Sequence, residues 1–274
     1  MVAVAETQGP DRGDRRAPRV RRLEPAAIGA VLWRELSVFR RHWRATTFSS
    51  VVEPTIFLLA FGFGFGALVS RVAGYDYIEF VGTGVVATAV LFSSVFPGLF
   101  NTFIRHRFQR TYDALLAAPI DVEELVTAEV GWVALRAGVY GMAPLLVAMV
   151  FGLDPSPGML LVPFVGFVTG FGFAAFGVTI AAVAQSMDNF NYVTSSVITP
   201  LFLVAGTFFP IDALPGWAST LAQLNPLHHC VELVRDAVFG FQLGPDVLHL
   251  GVLLVFALLM WRLAIWRLGL RLID

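Results

Sequence analysis

The chain has 274 residues, 57% of them hydrophobic and only 14% charged, with a mean hydropathy of +0.72. Soluble domains run at about 45–50% apolar and about 25% charged, so this excess cannot be hidden in one soluble core of this length. The composition excludes a chain disordered throughout, and the single Cys230 excludes a disulfide scaffold. It reads as an all-α integral membrane protein.

The net charge of −1 conceals an asymmetry: all 19 basic residues are arginine, and ten of them precede residue 45. A nucleic-acid binder would show a basic face across a folded domain, which a balanced total does not supply. Residues 1–24 carry Pro, Gly, Arg and Asp with no apolar run, so they read as a disordered cytosolic tail rather than a signal peptide.

Residues 26–45 place Ile28, Leu32, Leu36, Phe39 and Trp43 on one helical face, with Arg34, Arg40, Arg41 and Arg44 on the others. That pattern predicts an interfacial amphipathic helix over 25–45, its arginines facing anionic lipid. A span needs about 20 mostly apolar residues. Six segments within 46–274 qualify, at about 48–69, 80–103, 131–152, 159–184, 190–209 and 247–266. Both termini are expected in the cytosol, because this places sixteen arginines inside and only Arg71 and Arg235 outside, with Arg136 within a span. Between the last two spans, 211–240 is apolar but broken by Pro215 and Pro226, and is expected to dip back into the outer side of the membrane as a re-entrant segment.

Enzyme motifs are missing: there is no P-loop and no HExxH. The run Phe61-Gly62-Phe63-Gly64-Phe65-Gly66 lies inside a span and lacks a preceding strand, so it is not a nucleotide loop. Gly62 with Gly66, and Gly166 with Gly170, are helix-packing pairs, with a dimer contact as one use. His228, His229 and Cys230 are adjacent, yet consecutive residues on a helix point apart, so packing and hydrogen bonding are expected rather than metal binding. Glu53 and Arg136 fall at similar depth in the first and third spans, which suggests an intramembrane ion pair. Snorkelling by Arg136, with Glu53 in an aqueous vestibule, is the alternative.

The inner loop 105–130 is the most informative segment. A basic stretch leads into a short helix bearing Tyr112, Leu115 and Leu116; Pro119 stops it and Asp121 can cap the next helix. A surface helix offering Tyr and Leu to water is an expected docking site, against the plainer reading of an interfacial connector.

The stretch from Arg110 to Pro119 resembles the cytosolic coupling helix of type-2 ABC exporter permeases, a Thr–aromatic–acid–x–Leu–Leu–x–x–Pro pattern. Residues 225–235, with Asn225, Pro226, His228, Glu232 and Arg235, resemble the family's stretch before the last span. The likeness covers about 25–270 and is greatest to the nodulation protein J and daunorubicin-resistance branches. It departs where many relatives carry Gly at Arg110 and Gly-Lys at Ala128-Glu129, which leaves the ATPase subtype open. The resemblance implies a non-catalytic permease that dimerises, as a homodimer or heterodimer, in a bacterial cytoplasmic membrane. It implies no cofactor in this chain, with ATP and Mg held by a separate ATP-binding subunit. It assigns coupling to Thr111, Tyr112, Asp113, Leu115, Leu116, Pro119, Glu123 and Glu124, and suggests Phe61, Phe65, Phe202 and Phe208 as path-lining aromatics. An amphipathic cargo, glycolipid or lipo-oligosaccharide, comes first and a hydrophobic drug or antibiotic second. A membrane enzyme and a structural scaffold are the competing classes.

Overall fold

The computed structural model describes residues 23–69 and 71–273; residues 1–22 of the expected tail at 1–24 lie outside them. Its framework is helical, with one two-stranded hairpin, Arg71–Val72 against Tyr75–Asp76. Among the described residues five helices are long and apolar enough to cross a membrane: Pro25–Gly64, Tyr77–Arg107, Val122–Val150, Pro157–Val183 and Leu243–Leu272.

The first, α1 (Pro25–Gly64), runs unbroken through the expected boundary at 45/46. The amphipathic stretch and the first span are therefore one helix. Nothing between them can stop it: Thr46, Thr47, Ser49 and Ser50 are polar, but Thr47, Ser49 and Thr55 turn their hydroxyls onto helical carbonyls or onto Tyr140.

After the hairpin, α2 (Tyr77–Arg107) forms the centre of the bundle. Every residue from Phe80 to Leu91 is buried, as expected of a helix that is apolar all round. A short helix, α3 (Thr111–Leu116), precedes α4 (Val122–Tyr140), which continues past Gly141 as α5 (Met142–Val150). A 3-10 turn at Pro157–Leu161 opens α6 (Val162–Val183). The GxxxG glycines Gly166 and Gly170 are used here: a Cβ on Gly166 would lie 3.0 Å from the Gly138 Cα, and one on Gly170 3.0 Å from the Ala137 Cβ. Small residues bring α6 against α4 within the chain.

The segment expected as the fifth span is built differently. It consists of α7 (Asp188–Val193), a π turn at Thr194–Ile198 and α8 (Thr199–Leu203), followed by a turn. Phe190 at its start packs on Phe103 near the α3 end of the bundle, and the Leu201 carbonyl at its finish meets Asn225 at the opposite end. It makes that passage in short pieces, below the length of the five long helices. The remaining helices are α9 (Gly216–Gln223), α10 (Pro226–Phe239) and α11 (Leu243–Ile273). The helices α9 and α10 gather at the end opposite α3, where the sequence suggested a re-entrant segment.

Candidate functional site

The sequence at 105–130 folds into a helix–break–helix. Arg110 adopts φ +49°, a left-handed turn that costs about 1–2 kcal/mol for a residue with a Cβ; a glycine there would remove that cost. The helix α3 follows at once and stops before Pro119. Asp121 then starts α4, and the Glu124 carboxylate accepts from the Asp121 N–H at 3.0 Å, closing a capping box. The other Glu124 oxygen accepts from the Glu24 N–H at 2.8 Å, tying the start of α1 to the start of α4.

Tyr112 is not presented to water. It is fully buried at the centre of a second core with Val31, Leu125, Ala264 and Leu268. Its hydroxyl donates a short hydrogen bond to Glu129 Oε2. Burial, with the Glu129 carboxylate beside it, holds this phenol well above its ordinary pKa. Asp113, Ala114, Ala117, Ala118 and Pro119 form the exposed side of the loop, while Thr111, Leu115, Leu116 and Glu123 are half-buried.

Beneath Tyr112 lies a charge network that the sequence did not single out. Arg105 Nη1 meets Glu129 Oε1 at 2.7 Å, and Arg105 Nη2 meets Glu35 Oε2 at 2.8 Å. Arg34 Nη1 completes it on Glu35 Oε1 at 2.7 Å. Two cations face two carboxylates, and every carboxylate oxygen accepts a donor. Four elements, α1, α2, α3 and α4, meet in this one cluster.

The expected partnership of Glu53 with Arg136 is not formed. Both line one cavity, but no ion pair joins them among the described residues. Arg136 lies over the rings of Phe39 and Trp132, at 5.9 Å from each. Equal depth along two helices does not fix the direction in which each side chain leaves its helix. Of the aromatics suggested for a path, Phe61 packs on both Phe65 and Phe208, and Phe208 on Phe202, in one cluster between α1 and the turn after α8.

The second motif clamps that turn. Asn225 caps α10 by accepting from the Leu227 N–H at 2.9 Å, while its Nδ2 donates to the Leu201 carbonyl at 2.7 Å. Pro226 opens the helix at its first position. His228 contacts the Ala205 carbonyl, and Arg235 Nη2 donates to the Gly206 carbonyl at 3.2 Å. The same guanidinium pairs with Glu232 at 2.7 Å and sits 4.1 Å over the Phe80 ring. Gly206 takes φ +87°, a conformation that favours glycine.

Two titratable contacts fasten α10 to α11. His229 Nε2 donates to the Gln223 carbonyl at 2.9 Å, so its Nδ1 accepts from His249 Nδ1, 2.6 Å away. Near the other end of α10, burial and then hydrogen bonding with Asp246 push the Asp236 carboxyl from 3.8 up to about 7; Glu232 and Arg235 also face it. A carboxyl whose folded pKa is raised stabilises at low pH and loses that contribution as pH rises through the folded value. Burial lowers His229 below 6.5, so its contribution is present above 6.5 and lost as pH falls. Cys230, fully buried on α10, reports opening of the helix by maleimide labelling. Relative to wild type at each pH, Asp236→Asn should label progressively more slowly from about pH 5 to pH 7 and level off above it. A ratio flat across that range would refute the assignment.

The long apolar helices around a buried core define a membrane-spanning protein with an ordered loop knob at one end. The chain belongs to the ABC-2 type transporter family, whose pattern matches residues 26–239, and is a permease of that family. It is 33% identical to Nodulation protein J of Sinorhizobium fredii over 85% of this chain and 91% of that protein. It is 32% identical to Nodulation protein J of Rhizobium meliloti, over 86% and 93%. The Inner membrane transport permease YadH of Escherichia coli is 25% identical, over 84% and 90%.

Proposed function

We propose that the chain is the non-catalytic membrane subunit of an ATP-driven exporter in a bacterial inner membrane, working as a dimer with a separate ATP-binding subunit that carries ATP and Mg. In this reading both termini are cytosolic, α7 to α8 complete a sixth crossing, and the start of α1 lies at the interface with lipid. The cargo is an amphipathic glycolipid or lipo-oligosaccharide, in keeping with the likeness to Nodulation protein J.

One observation carries the proposal: α3 offers a small exposed face, Asp113 to Pro119, while its buried Tyr112 is bonded to a network that reaches α1, α2 and α4. A push on the exposed face is delivered to three long helices at once. Since Tyr112 belongs to the core, the informative variant is Asp113→Arg, on the exposed face. Tagged wild type, purified in mild detergent from its native membrane, should bring ATPase activity with it. Asp113→Arg should lose that activity at least about tenfold with an unchanged melting midpoint, as loss of a charged interface contact predicts. No ATPase activity with either protein would overturn the proposal in favour of a scaffold or a membrane enzyme.

A further inference from the structure

Three adjoining cavities lie along α1. The first, about 390 Å³, contains the Arg105 network and extends to Arg136. The second, about 240 Å³, shares Pro97 and Arg136 with it and adds Glu53, Thr88 and Tyr140. The third, about 480 Å³, shares Ser49, Glu53 and Phe57 with the second and opens over Phe48, Val52, Ile56 and Phe61. A polar recess thus adjoins an apolar groove on the exposed face of α1.

The recess holds one cation without a partner. In the first cavity Arg34, Glu35, Arg105 and Glu129 compensate one another. Arg136 has neither an ion pair nor a hydrogen bond among the described residues, and its Nε is buried without an acceptor. Thr88 Oγ1, on the α2 wall of the second cavity, is likewise buried and unpartnered. An uncompensated guanidinium within the apolar thickness of a membrane is costly. The contact with Phe39 and Trp132 offsets only part of this. An anion arriving from outside would satisfy both orphaned groups, and a guanidinium fork suits a phosphate.

We propose that these cavities bind one anionic, hydroxyl-bearing phospholipid drawn from the surrounding leaflet. Its phosphate lies on Arg136 and Thr88, its headgroup hydroxyl donates to Glu53, and an acyl chain follows the groove past Phe48, Val52 and Ile56. The phosphate selects an anionic ligand, and the groove selects a lipid over a free anion. This site is independent of the export reading, since it needs neither an ATP-binding subunit nor a transported cargo.

The test is native mass spectrometry of the full chain released from neutral detergent, with phosphatidylglycerol, phosphatidylcholine or inorganic phosphate added. Wild type should retain phosphatidylglycerol about tenfold more tightly than phosphatidylcholine, the worth of one charged hydrogen-bonded contact. Arg136→Gln should abolish that preference, and Thr88→Val should reduce it while conserving shape. Inorganic phosphate should not displace the lipid. A melting midpoint measured in the same detergent verifies folding of each variant, and Thr88→Val carries the test if Arg136→Gln does not fold. The proposal is overturned by an equal preference in wild type and variants, or by displacement with inorganic phosphate. It is equally overturned by a chain dimer that retains no lipid, which would mean that a second copy covers the groove.

Discussion

Arg105→Ala is expected to destabilise the bundle by about 3–5 kcal/mol, the cost of leaving a buried charge without its partner. The reason lies in the arrangement. Arg105 stands between Glu35 and Glu129 and separates two carboxylates that would otherwise share one enclosed space. Alanine leaves Glu129 with only the Tyr112 hydroxyl and Glu35 with only Arg34. Glu129→Gln on its own should cost less, because an amide can still accept from Tyr112 or Arg105. The double variant Arg105→Ala, Glu129→Gln should be more stable than Arg105→Ala alone, since it removes one of the two stranded charges. Melting midpoints of the four proteins in one detergent decide the matter. An Arg105→Ala protein as stable as wild type, or a double variant less stable than the single, would show that the cluster is solvated and does not fasten α3 to the bundle.

How much of this was legible in the sequence depends on whether the signal was local. The long helices were legible, because a stretch of about 20 apolar residues is a local signal. So was the break at Pro119 and the restart at Asp121, where a fixed-φ ring and a capping carboxylate act within a few residues. The continuity of α1 was not, since Thr46, Thr47, Ser49 and Ser50 look like a boundary until Ser49 turns its hydroxyl onto the Thr46 carbonyl and Thr47 meets Tyr140. Arg105 with Glu35 and Arg105 with Glu129 are contacts across 70 and 24 positions, visible only when α1, α2 and α4 pack together. Tyr112 shows the same limit in reverse. Its place in a short amphipathic helix identified the segment, but the core it fills comes from α1, α4, α6 and α11. The network did leave a trace: Glu129, a lone carboxylate at the start of a span, calls for a buried partner.

The crossing of α2 and α6 should be as sensitive as the charge network, for a different reason. Gly98 and Gly177 face each other there, backbone against backbone. A Cβ on Gly98 would stand 2.5 Å from the Ala174 carbonyl oxygen, and one on Gly177 2.6 Å from the Val95 carbonyl oxygen. Neither contact can be relieved by turning a side chain, so the helices must separate. In a bundle held by close packing rather than by exclusion of water, separation forfeits contacts along the whole crossing. Gly98→Ala and Gly177→Ala should each cost about 1–3 kcal/mol, partly offset by the gain of about 1 kcal/mol when alanine replaces glycine within a helix. The two costs should not add, because the first methyl moves the helices apart and makes room for the second. Gly131→Ala is the control: nothing lies within 4 Å of its Cβ, so it should raise the melting midpoint slightly. If all three alanines behave alike, the α2–α6 approach is looser than these distances require. If the pair at 98 and 177 melts early and their double variant falls short of the sum, the crossing is one packed unit. The central helix is then fixed by glycine on one side and by the Arg105 network at its end.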